Sequence, residues 1–174
     1  MVRNTRQRAR EFDTPEQASE FLKERIYATI TLIALLATLW QSAGHFTARG
    51  AAFSVVGTVV ALWLAIGIAS RMSYQVVNGK RMSTLVYLDI LRTHSALLAP
   101  AVPVLFLIGM SGLGILSLGS ALFASMIILL LSFAGFSFLA GRRIHSNWLE
   151  ILITSAFEIV LGVGVIILKI VAGH

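Results

Sequence analysis

Apolar positions run through this chain in blocks too long for a soluble core. No charged residue occurs between Ile26 and Gln41, between Ala51 and Ser70, or between Ser95 and Gly141. A helix needs about 20 predominantly apolar residues to cross a 30 Å hydrocarbon core. The pattern therefore predicts an all-α, polytopic integral membrane bundle of five transmembrane helices, at about 26–42, 51–72, 97–115, 120–140 and 148–171. The charge-free run 95–141 is too long for one span. Ser111, Gly112, Gly114, Gly119 and Ser120 mark its break.

Local signals set the ends. Thr14 can cap a helix that opens on Pro15, with Gln17 completing a capping box. Asn78-Gly79 is a helix stop. Residues 83–94 form an amphipathic helix in which Leu85, Leu88 and Leu91 share a face and Asp89 can pair with Arg92. That helix is expected flat on the cytoplasmic surface or leading straight into the third span. Pro100 and Pro103 should kink or restart the helix beyond it. Asn147 and Glu150 read as the capping box of the last helix. Residues 1–13 read as a disordered basic arm, and residues 14–174 as a single membrane domain.

Composition agrees with the pattern. The 174 residues are 57% hydrophobic and 13% charged, and the mean hydropathy is +0.84. A soluble domain is about 25% charged. No cysteine is present, which excludes disulfides, thiolate nucleophiles and cysteine metal sites. Nothing matches a phosphate-binding loop, an HExxH helix or a GxSxG elbow, and no enzyme activity or cofactor is expected. The net charge of +6 points to an anionic inner leaflet rather than nucleic acid, because the Arg residues of the arm lack interleaved aromatics. With the N-terminus inside, twelve of the 14 Lys and Arg fall in cytoplasmic segments, and only Arg49 and Lys169 fall outside. That bias predicts a multi-pass plasma-membrane protein with a cytoplasmic N-terminus and an external C-terminus.

Glu158 gives the sharpest functional lead, and the last helix is the stretch around which the reading turns. Glu158 lies roughly 15 Å beyond Trp148, near the bilayer midplane. An ionised carboxylate there costs at least a few kcal/mol. Thr154, Ser155 and Gly162 share its side of the helix as a small, polar stripe. Candidate partners are Thr29, Thr31, Thr38, Ser54, Thr58, Ser125, Ser132 and Ser137 on other spans. Glu158 is then either a proton- or cation-binding carboxylate in a transport path, or a protonated packing residue. Ala61, Ala65 and Ala69 form a second small-residue stripe, suited to an interface within or between subunits. The four histidines fall at span ends, and no two are spaced as a helical ligand pair.

The segments 24–30 (ERIYATI) and 168–174 (LKIVAGH) resemble small five-span membrane proteins of actinobacteria whose function is unknown. The five-span plan is also similar to the vacuolar iron transporter family. That family carries acids in its first span and an acidic domain after its second, where this chain has no acid and only Asp89, respectively. No site residue carries over. The sequence thus leads to a non-enzymatic structural or accessory subunit that self-associates or joins a larger membrane complex. Its alternative is a small ion or proton-coupled transporter using Glu158.

Overall fold

A computed structural model describes residues 15–143 and 148–172, all helical apart from turns. The helices are α1 (Pro15–Gln41), α2 (Ala48–Asn78), α3 (Thr84–Thr93), α4 (Ala101–Gly112), α5 (Leu118–Arg143) and α6 (Trp148–Ala172), with a 3₁₀ helix at His94–Leu98. The basic arm, the Thr14 cap and the Asn147 cap lie outside the described residues.

Two segments among the described residues are long and apolar enough to cross a membrane: α2, and Leu118–Gly135 of α5. Only 22% of the apolar window of α2 is buried by the rest of the chain. The core helix of a soluble protein would be mostly enclosed. Phe53, Phe106, Leu131 and Val160 are likewise well exposed, so the bundle turns a broad apolar surface outward.

The central helix is α1, not α6. It packs on α2, α5, α6 and the 3₁₀ helix. Ala28, Leu32, Ile33, Leu36 and Ala37 are all within 1% of complete burial. Small and branched apolar residues at i, i+4 and i+5 place these side chains on adjoining faces, which is what a helix surrounded by neighbours requires.

The order of the helices alternates. Trp40 at the end of α1 meets Phe123 near the start of α5, with ring centroids 6.1 Å apart. Gln41 donates from Nε2 to the Ile170 carbonyl at 2.9 Å, tying the ends of α1 and α6 together. At the other end of the bundle Phe138 and Trp148 pack edge to face. By these contacts α5 runs antiparallel to α1, and α6 parallel to it.

The third run, residues 84–112, is broken before α4, which restarts at Ala101 where the prolines were expected to kink or restart the helix. The α4 helix has 12 residues, about 18 Å by helical rise. Pro100 and Pro103 carry no N–H, and a continuous helix would need both. The chain instead joins α3, the 3₁₀ helix and α4 end to end. By their rises these span roughly 15, 10 and 18 Å, nearly matching the roughly 46 Å of the 31-residue α2. A side chain on Gly112 would lie 3.7 Å from the Ala48 Cβ, and one on Gly67 would lie 2.6 Å from Leu91. The composite run is thus antiparallel to α2 and packed along it. The helix expected at 83–94 is α3, Thr84–Thr93, followed directly by the 3₁₀ helix.

The turns follow the sequence signals. Gly79 closes α2 at φ 60°, donating to the Gln75 carbonyl. Thr47 caps the start of α2 by accepting from the Gly50 N–H. Gly114 adopts φ 78° in the turn between α4 and α5. Both glycines occupy the left-handed region that a Cβ disfavours.

Candidate functional site at the break in the third run

Two contacts hold the break. His94 Nδ1 lies 2.7 Å from Glu24 Oε2, and the two side chains are 18% and 13% exposed. The pair spans 70 positions of sequence and joins the first turns of α1 to the start of the 3₁₀ helix. Beside it, Trp63 Nε1 of α2 donates to the Leu91 carbonyl at 3.0 Å. Helical hydrogen bonding changes register at this point, so the carbonyls of the last α3 turn need partners from elsewhere. The indole N–H supplies one.

Packing brings these groups together. Gly67 is buried, with Leu91 and the Tyr87 hydroxyl where its side chain would be. A glycine there allows α3 to approach the α2 backbone closely. The expected common face of Leu85, Leu88 and Leu91 does not survive. Leu85 and Leu88 are 80% and 55% exposed, while Leu91 turns toward α2. A three-residue step falls about 60° short of a full helical turn. Two such steps carry Leu91 onto a different side, where it joins Tyr87, four residues earlier. The Asp89 side chain lies outside those described.

The charged environment is lopsided. Lys23, Glu24, Arg25, Arg71, Lys80, Arg81 and Arg92 lie toward the end of the bundle that carries this break. Among the described residues only Arg49 and Lys169 lie at the other end. Arg25 is half-buried, and its carbonyl accepts from the Thr29 hydroxyl at 2.8 Å. Glu24 thus sits among both cations and the acids Glu16 and Glu20 of the same helix. A carboxylate and an imidazole in hydrogen-bonding contact can hold or exchange a proton.

The residues singled out from the sequence fare differently. Glu158, Thr154 and Ser155 lie on α6, and their side chains are outside those described. Gly162, one turn beyond Glu158, is buried. A Cβ there would meet Leu130 Cδ2 at 2.5 Å, so Gly162 lets α6 sit close against α5. Val165 and Ile166 continue that contact with the core. Several hydroxyls considered as partners for Glu158 spend their hydrogen on their own helix. Thr29, Thr38, Ser54 and Ser125 donate to the carbonyls four residues earlier. Ala61, Ala65 and Ala69 are exposed, and so is Gly57 in line with them. Among the described residues no other helix covers this stripe.

Sequence reasoning passed over Glu24 and His94. Glu24 stood in a charged stretch, and His94 was one of four histidines at span ends. The available signal was a shared level: both fall at the basic end, and His94 is followed by Pro100, where a helix must break.

No protein-family model, curated protein or solved structure matches the chain.

Proposed function

We propose that this chain is a non-enzymatic integral membrane protein that crosses the bilayer five times and self-associates through α2, as a structural or accessory subunit. The observation that carries this reading is the exposed line of Gly57, Ala61, Ala65 and Ala69. Val60, Leu64 and Ile68, between 39% and 55% exposed, border it. Small residues four apart let two helix backbones approach closely in lipid, where van der Waals packing replaces the hydrophobic effect as the driving force. The clustering of Lys and Arg at the end holding Asn78 and Thr84 supports an inward-facing orientation for that end, toward anionic lipid. It also supports a cytoplasmic N-terminus. A second reading, a proton-coupled carrier, draws its support from the broken third run rather than from Glu158, because discontinuous helices accompany binding sites in transporters.

The test is the copy number in lipid. Wild type reconstituted at low protein density should bleach in two or more fluorescence steps, and Ala65→Leu should shift the distribution toward single steps by about tenfold in dissociation constant. Helix content should not change, since Ala65 is exposed. Single-step bleaching of wild type at every protein-to-lipid ratio would refute the reading.

A further inference from the structure

We infer that Glu24 and His94 form a proton-responsive clamp that sets how firmly the α3 end of the broken run is held against α1. The inference stands on geometry and is independent of self-association through α2.

The α3 helix is weakly anchored. Leu85, Val86 and Leu88 face away from the bundle, and α3 touches α2 and the 3₁₀ helix. Its steric seat is the contact of Leu91 and Tyr87 on Gly67. Two described polar contacts hold its C-terminal end: the Trp63 N–H on the Leu91 carbonyl, and His94 on Glu24. The first joins neutral groups whose hydrogen is fixed, so pH does not alter it. The second joins two groups that gain and lose protons.

Its strength depends on how many protons the pair holds. With Glu24 ionised and His94 protonated, the bond is between full charges. When His94 loses its proton, a neutral N–H facing the carboxylate remains. When Glu24 gains one, the negative partner is gone. The clamp is therefore tightest at mildly acidic pH, where imidazoles carry a proton and carboxylates do not. It loosens when the imidazole gives up its proton. Besides Glu24, the charged residues on the elements packed around the 3₁₀ helix are Glu16, Glu20, Lys23 and Arg25 on α1, Arg49 and Arg71 on α2, and Asp89 and Arg92 on α3. Arg49 lies at the far end of α2, so acids and cations both occur near the pair. The break makes this contact consequential. A 3₁₀ helix followed by Pro100 is a joint, so α3 can swing on it without disturbing α4, which is seated by Ala101, Val104 and Ile108 in the core.

The absence of cysteine allows clean labelling. Tyr27→Cys on α1 and Thr84→Cys on α3 place spin labels at two exposed positions of the full chain in anionic nanodiscs. Electron-electron distance measurement at about pH 5.5 and about pH 8.5 brackets the imidazole range. One short distance should dominate at the lower pH. A second, longer population should grow roughly five- to tenfold at the higher pH, the factor separating a charged from a neutral hydrogen bond. Glu24→Gln and His94→Gln should each abolish that pH response. The exchanged pair, Glu24→His with His94→Glu, should restore it, and this decides the matter if either single variant fails to fold. A distance distribution unchanged across pH in the wild type would overturn the inference. So would an undiminished response in Glu24→Gln, or no response in a folded exchanged pair.

Discussion

Replacing His94 with alanine should lower the stability of the folded bundle by about 2–3 kcal/mol. The reason is asymmetric. Removing the imidazole leaves the Glu24 carboxylate 13% exposed, with its nearest described partner gone. A mostly buried ion without its partner costs several kcal/mol, whereas an exposed ion pair is worth at most about one. The residual exposure of both groups places the expected loss at the lower end of the buried range. Glu24→Ala should cost less, since His94 can discard its proton and remain as a neutral ring. The double variant should then be more stable than the sum of the two losses implies, by roughly 1 kcal/mol or more. Reversible unfolding in mixed micelles, followed by circular dichroism, measures all three. Losses below about 0.5 kcal/mol for His94→Ala would mean that the pair is a surface contact.

Leu36→Ala should cost about 2 kcal/mol, while Leu131→Ala should stay within about 0.5 kcal/mol. Leu36 is completely buried in the central helix, and Leu131 is 65% exposed on α5. In a water-soluble protein the first change would reach about 3–5 kcal/mol, because transfer from water and cavity formation add. Lipid tails are as apolar as leucine, so the transfer component largely vanishes for a bundle in a bilayer. The cavity component remains, because the neighbours of α1 collapse only partly. The same unfolding assay applied to both variants therefore tests the packing and the solvent together. A loss near 5 kcal/mol for Leu36→Ala would point to an aqueous surround. Equal small losses for both would contradict a central α1.

Much of the helical plan was legible because its signals are local. Asn78-Gly79 ends α2, the Gly114 region separates α4 from α5, and α6 runs from Trp148 to Ala172. These depend on φ requirements and hydropathy within a few residues. The break in the third run was legible from Pro100 and Pro103, which mark a kink or a restart of the helix. The division of labour between a 3₁₀ helix and a short α4 depends on how α2 packs alongside. The start of α2 at Ala48 was missed, because Arg49 interrupts the apolar run without interrupting the helix.

The site was less legible than the fold. Attention went to Glu158 because a lone acid in an apolar run is conspicuous in one dimension. Glu24 and His94 look ordinary in one dimension, each near charged neighbours. Their meeting requires α1 and the third run to lie side by side at one level, which hydropathy alone does not specify. The Ala61, Ala65 and Ala69 stripe is visible as a spacing in the sequence, and the packing of α2 leaves these residues exposed.

The central claim is that α2 is the face through which copies of this chain meet in the membrane. Single cysteines introduced in turn from Gly57 to Ala69 test it most directly, since no native cysteine competes. In membranes under mild oxidation, disulfide-linked dimers should form strongly at positions 57, 61, 65 and 69 and weakly at 59 and 63, which turn into the bundle. That four-residue period is the expected result. Uniform cross-linking at every position, or none at any, would contradict the claim.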